Sequence, residues 1–232
     1  MLGPVTQIPA SLHRKHILMC LGEDPAEFEA ALQAAGAPHV CTHAYRGFRC
    51  YVDDERLVVL GGIGVGSQEP LLWELLRQPV DRIILTGTSG ALGGFTGAAK
   101  PHFLPTAHAA YSAMHAHPKR GFHANLASRL PTTMAVSTDA FYGFGPAILN
   151  GEYPSEPALE ASYGMYKDAD ALVDMETAYF YWAAPRFSTN PDLEYGAIRA
   201  AANAVTNFDE MATQSETALA SAVAASWAAL QA

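Results

Sequence analysis

Leu57-Val58-Val59-Leu60-Gly61-Gly62-Ile63-Gly64-Val65-Gly66-Ser67 decides the reading of this chain. Four consecutive apolar residues suit a strand buried on both faces. The glycines permit a tight exit, and Ser67 is predicted to cap a helix carrying Leu71, Leu72, Leu75 and Leu76. The same order occurs upstream. The apolar run from Ile17 to Leu21 ends at Gly22, Asp24 is an N-cap residue, Pro25 suits the first helical position, and Glu27 completes a capping box. Phe28, Ala31, Leu32 and Ala35 then recur at helical spacing until Gly36. Downstream, Ile83 to Leu85 runs into Gly87-Thr88-Ser89-Gly90. Three strands that each end in glycine predict an α/β domain with a parallel sheet and helices on its faces.

Later segments extend the pattern. Met134 to Ser137 is a predicted strand, and Leu172-Val173 a short strand entering a helix from Met175 to Ala184 that Pro185 stops. Tyr195 to Ala202 is the last predicted strand, and Thr213 to Leu230 a closing helix with Leu219, Val223, Trp227 and Leu230 on one stripe. Between Pro101 and Arg129 periodicity is poor, which predicts strands joined by long loops; Gly143 to Pro157 reads as a loop. No repeat or interdomain linker interrupts residues 16–232, which are read as one domain behind an N-terminal extension, 1–15.

Composition narrows the function. Among 232 residues, 14 Lys+Arg face 23 Asp+Glu, a net charge of −9. That acidity opposes binding to nucleic acid or to anionic membrane surfaces. With 50% hydrophobic and 16% charged residues the chain is not a disordered one. Cys20, Cys41 and Cys50 form no C-x-x-C pair, so neither a disulfide framework nor a structural zinc site is expected, and Cys20 and Cys41 read as buried thiols. No signal peptide is read at the start, and the uncharged run Ile83 to Ala99 is too short and glycine-rich to span a bilayer. A cytoplasmic location is expected.

Several motifs fail closer inspection. After Gly62 and Gly64 a G-x-G-x-x-G fingerprint needs glycine at 67, where Ser67 stands. The turn at 87–90 is not a G-x-S-x-G nucleophile elbow, because Ala91 replaces the second glycine. Its amides and hydroxyls suit an anion or a sugar at the carboxyl edge of a sheet, or simply a turn. His102, His108, His115, His117 and His123 lack metal-ligand spacing, so no metal is expected. Asp174-Met175-Glu176 carries more information: two acids stand where an apolar strand becomes an apolar helix. Charge there is costly unless paired or used, although acids also favour helix starts.

Taken together, Gly22-Glu23-Asp24-Pro25, Gly62-Ile63-Gly64, Thr86-Gly87-Thr88-Ser89-Gly90-Ala91, Ser137-Thr138-Asp139-Ala140-Phe141-Tyr142 and Val173-Asp174-Met175-Glu176-Thr177 resemble the nucleoside phosphorylase family. This branch includes uridine phosphorylase, hexameric purine nucleoside phosphorylase and the methylthioadenosine/adenosylhomocysteine nucleosidases. The resemblance implies a three-layer α/β/α single domain with a central mixed, largely parallel sheet. It also implies cleavage of a nucleoside N-glycosidic bond, with the pentose passed to phosphate, or alternatively to water, or a nucleoside-binding homologue of weakened chemistry. By the same resemblance the subunits form dimers or trimers of dimers, and no cofactor is needed beyond inorganic phosphate as a possible co-substrate.

The resemblance assigns Glu176 to the ribose hydroxyls, Met175 beneath the sugar ring and Phe141 to stacking on the base. Ser89 and Gly64 join the substrate side. Gly22 and Thr88 form the phosphate or nucleophile side, and Arg46 corresponds to the arginine lent by a neighbouring subunit, with Arg49 as its alternative. Departures bear on the acceptor and the base. Glu27 and Leu85 stand where phosphorylases carry arginines, and arginine supplies paired, charge-assisted bonds to phosphate. Asn203 stands where the purine branches carry an acid; an amide binds a base but donates no acidic proton. Gly145 replaces the glutamine of the uridine branch.

Overall fold

A computed structural model describes residues 1–93, 99–109, 115–116, 120–140, 144–152, 154–205 and 211–232. The side chains of 115, 116, 120, 121 and 211–214 are outside that description.

Strand β1 (His16–Leu21) occupies the middle of the sheet because its residues are apolar on both faces. Ile17 and Met19 enter one core and Leu18 and Cys20 the other, as the period of two requires. It lies parallel to β4 (Arg56–Gly61) on one side and to β5 (Arg82–Ala91) on the other. Helix α1 (Pro25–Ala34) follows β1, capped by Asp24, whose carboxylate accepts from the N–H of Ala26 and Glu27. It stops at Gly36 (φ 67°), where Ala37 and Gly36 donate back to Leu32 and Gln33. After β4, helix α2 (Val65–Leu76) is entered through Gly64 at φ 80°, so Ser67 lies inside the first turn rather than at the cap.

The remaining strands are β2 (His43–Tyr45), β3 (Phe48–Val52), β6 (Pro101–Ala109), β7 (His115–Ala116), β8 (Thr132–Ser137), β9 (Ala171–Asp174) and β10 (Glu194–Ala204). The sheet order is β10-β6-β8-β9-β5-β1-β4-β3-β2, with β7 on β6. Because β10 also pairs with β5, strands β5, β10, β6, β8 and β9 close on themselves as a barrel. The sheet is therefore mixed. Parallel pairings (β1–β4, β1–β5, β5–β10, β6–β8, β8–β9) stand beside mostly shorter antiparallel ones (β2–β3, β3–β4, β5–β9, β6–β7, β6–β10), so the largely parallel expectation holds in part.

Helices α2 and α6 (Thr177–Phe187) pack against each other on one face. On the other, α1 packs on α7 (Met211–Gln231), whose Leu219, Val223, Trp227 and Leu230 enter the second core. Pro185 sits within α6 instead of ending it. The stretch 101–129 holds a helix, α3 (Arg120–Arg129), besides its strands, and the predicted loop holds α4 (Pro146–Leu149), with α5 (Pro157–Tyr166) beyond it. Helix α3 is weakly amphipathic and α4 is a single turn, so periodicity does not reveal them. Residues 1–15 pack onto the domain: buried Glu74 accepts from the N–H of Val5 (2.7 Å) and Thr6 (2.9 Å) and from the Thr6 hydroxyl. Cys20 is buried as expected, as is Cys50, whereas Cys41 is partly exposed, which corrects the expected burial of that thiol. Among the described residues no helix is long and apolar enough to cross a membrane.

Candidate active site

The ends of β1, β5, β9 and β10 meet at a cavity of about 510 Å³ lined by Gly22, Glu23, Thr88, Ser89, Met175, Glu176, Arg199 and Asn203, among others. Its apolar walls include Leu21, Ile63 and Val173. The glycine turns of the sequence lie here because parallel strands deliver their carboxyl ends to one edge.

Glu176 is 3% exposed and forms the floor. Its Oε1 accepts from the Gly64 N–H (2.9 Å), and Oε2 accepts from Arg199 Nη2 (2.8 Å) and the Met175 N–H (3.3 Å). A carboxylate has about four acceptor positions, so one remains for a ligand hydroxyl. Burial pushes the Glu176 carboxyl above the usual range, opposed by the Arg199 guanidinium.

Arg199 is 2% exposed, in a strand of small residues. It pairs with Glu176, stands 3.4 Å from Asp174 Oδ2, and donates from Nη1 to the Thr88 carbonyl (2.9 Å). The surrounding carboxylates, Asp174 and Glu176 foremost, outweigh burial and hold the guanidinium in its charged form. Asp174 is fixed in turn by Ser137 Oγ (2.5 Å), the Thr177 N–H (3.1 Å) and the Thr177 hydroxyl.

Beside Arg199, Thr88 donates from both its N–H (2.6 Å) and its hydroxyl (2.9 Å) to one oxygen of Glu23. Ser89 is 5% exposed, and its hydroxyl makes no hydrogen bond among the described residues. Asn203 is buried, with Nδ2 donating to the Ala204 carbonyl (2.9 Å). Glu27 also lines the cavity; burial, then Asp24, Glu216 and Glu23, push its carboxyl upward.

Of the residues singled out in the sequence, Glu176, Met175, Ser89, Thr88, Gly22 and Asn203 share this cavity. Gly64 acts on it through Glu176. The Gly22 N–H donates to the Gly61 carbonyl (3.0 Å), so the backbone donor expected there is already engaged. Arg46 sits on the turn between β2 and β3 at φ 48°, stacked 5.2 Å from the Tyr45 ring, and Arg49 pairs with Glu29; neither is among the lining residues. Phe141 lies outside the described residues. The sequence motifs do not single out Arg199 or Glu23 as site residues. For Arg199 the available signal is an arginine inside Gly196-Ala197-Ile198-Arg199-Ala200-Ala201, since charge in a buried strand needs partners.

Among the histidines, His102 shares a hydrogen bond with the Lys100 carbonyl (2.8 Å), His123 with the Tyr195 carbonyl (2.7 Å) and His108 with Tyr166 (3.4 Å). Among the described residues no group of three or more His, Cys, Asp or Glu is arranged to hold a metal ion.

The architecture is that of the nucleoside phosphorylase and nucleosidase fold. A 5′-methylthioadenosine/S-adenosylhomocysteine nucleosidase from Neisseria meningitidis, solved with methylthio-immucillin-A, aligns with a TM-score of 0.68 at 14% identity, over 93% of this chain and 98% of that one. Purine nucleoside phosphorylase from Toxoplasma gondii, solved with immucillin-H, aligns at 0.66 and 16% identity over 97% and 95%. Futalosine hydrolase of Helicobacter pylori aligns at 0.67 and 13% identity over 94% and 98%. No protein-family model and no curated protein sequence matches the chain.

Proposed function

We propose that this protein cleaves the N-glycosidic bond of a nucleoside with water as the acceptor. The observation that carries the reading is the charge of the cavity wall: among the described lining residues Glu23, Asp24, Glu27, Asp139, Asp174 and Glu176 face a single guanidinium, Arg199, which already holds Asp174 and Glu176. Heterolysis of a glycosidic bond leaves positive charge on the sugar, and fixed carboxylates around it favour that transition state. The same wall disfavours a phosphate dianion as long as its carboxylates outnumber the guanidinium among the described lining residues.

In this reading the remaining acceptor position of Glu176 takes a pentose hydroxyl, and Ser89 Oγ supplies a second polar contact. Met175 covers the apolar face of the ring, and Asn203 hydrogen-bonds the departing base. An amide has no acidic proton to give, so the base takes its proton from water. The structural neighbours include proteins named as hydrolases or nucleosidases and one named as a phosphorylase, which supports glycosidic cleavage and leaves the acceptor to the site chemistry.

The test is incubation with adenosine, inosine and uridine in phosphate-free buffer and in added phosphate. Base release without phosphate, yielding free pentose, supports hydrolysis. Release only with phosphate, yielding pentose 1-phosphate, replaces it with phosphorolysis. Binding without release indicates a nucleoside-binding protein, a role that Asn203 in place of an acid is compatible with.

A further inference from the structure

The cavity holds an anion cradle that is already filled by the chain itself. Thr88 N–H and Thr88 Oγ1 converge on one oxygen of Glu23, at 2.6 and 2.9 Å. Gly87, at φ 142°, makes room for this approach: a Cβ there would lie 2.9 Å from that oxygen and 3.1 Å from Arg199 Nη1. The bare glycine thus lies between a carboxylate on one side and a guanidinium on the other. Next to it the Ser89 hydroxyl is 95% buried and without a partner among the described residues. Convergent donors, a glycine that allows close approach and an adjacent cation together form a site for an oxyanion. Glu23 is not needed to cap α1, because Asp24 accepts from the first free N–H groups of that helix.

We infer that Glu23 is a resident anion that determines the acceptor, occupying the donors an inorganic phosphate would take and so confining the reaction to water. The inference rests on the hydrolytic reading and adds the residue that enforces it. One N–H and one O–H cannot serve the carboxylate and a phosphate oxygen together, and a fixed negative charge at that spot repels a second. Glu23→Ala leaves both Thr88 donors, Ser89 Oγ and Arg199 around a vacated pocket. Phosphate then enters, one of its oxygens bonds to the anomeric carbon, and the C–N electron pair leaves with the base, which takes a proton from water. The products are pentose 1-phosphate and free base.

The experiment has two arms on the full chain. In the first, inorganic phosphate is titrated against wild type, Glu23→Ala and Glu23→Gln, and binding is read by calorimetry and by the rise in melting temperature. No turnover is involved, so this arm reads the cradle even if wild type cleaves no nucleoside. Glu23→Ala is expected to bind phosphate at least about tenfold more tightly than wild type. Glu23→Gln, whose amide oxygen still accepts from Thr88, is expected to stay closed. Should Glu23→Ala fold poorly, Glu23→Ser replaces it. In the second arm, products are followed by phosphorus NMR. Pentose 1-phosphate is expected from Glu23→Ala and not from wild type. A folded Glu23→Ala or Glu23→Ser that binds phosphate no more tightly than wild type overturns the inference, as does pentose 1-phosphate formed by wild type. Wild type that releases no base from any nucleoside, beside a phosphate-binding Glu23→Ala, overturns the hydrolytic reading and leaves the cradle standing.

Discussion

The N–H of Gly64 donates to Oε1 of Glu176 at 2.9 Å, joining the turn after β4 to the start of α6 across 112 residues. Gly64 sits at φ 80°, where a side chain is strained although a Cβ would meet only Met175 Cε at 3.8 Å. Gly64→Ala should therefore cost about 1–3 kcal/mol of stability through backbone strain alone, since φ 80° with ψ 174° is a conformation almost confined to glycine. Relaxation of that strain moves the N–H away from Glu176, so turnover should fall by more than the stability loss explains. Thermal melts beside steady-state rates check both parts.

Arg199 compensates two buried carboxylates, and its removal isolates them. Arg199→Met should destabilise the fold by about 3–5 kcal/mol, the usual consequence of breaking a buried pair on one side only. Denaturant titration reads the change. A loss under about 1 kcal/mol would mean that the Asp174–Arg199–Glu176 group is hydrated in solution.

Tyr181 is buried between the sheet and α6, accepting from the Ala197 N–H (2.9 Å) and donating to the Leu104 carbonyl (2.5 Å). Tyr181→Phe keeps the ring and leaves both backbone groups unsatisfied. On the order of 2–4 kcal/mol should be lost, at about 1–3 kcal/mol per orphaned group, with the cavity 510 Å³ in volume left intact. Chemical denaturation of the variant measures it, and retained nucleoside binding separates this effect from one on the site.

His102 is 6% exposed, and burial lowers its pKa below the ordinary histidine value of about 6.5. The unfolded chain therefore binds its proton at a higher pH than the folded one does. Its contribution to stability is full above about pH 6.5 and is lost as pH falls through the lower folded value. His13 and His16 are lowered chiefly by burial too and act in the same sense. Melting temperature should decline from pH 7 to pH 5, and His102→Gln should make the decline shallower.

The sheet edge was legible because its signals are local. The apolar runs at 17–21, 57–60 and 83–85 are strands, and the glycines at 22, 64 and 87 all have positive φ. Asp24 caps α1 as its spacing predicts. What escaped depends on tertiary contact. The hairpin β2–β3 turns at Arg46 and Gly47, and Arg46 has no residue-type signal for φ 48°. Barrel closure through the parallel β10–β5 pairing is a long-range contact, and so are the antiparallel β5–β9 and β10–β6 pairings that help make the sheet mixed. In the site, Glu176 stood out as an acid at an apolar junction. The contact of Glu23 with Thr88 is not legible because Gly22-Glu23-Asp24-Pro25 looks like helix-start chemistry, and only the fold brings Thr88 to its carboxylate.

The most direct measurement of the central claim is base release from adenosine, inosine and uridine in phosphate-free buffer by wild type and Glu176→Gln side by side. Wild type should release base, and Glu176→Gln should be slower by about 10²–10³, the usual loss when one preorganised polar group is removed from a reacting centre. Release by Glu176→Gln at the wild-type rate, or no release by wild type from any of the three nucleosides with or without phosphate, would contradict the account.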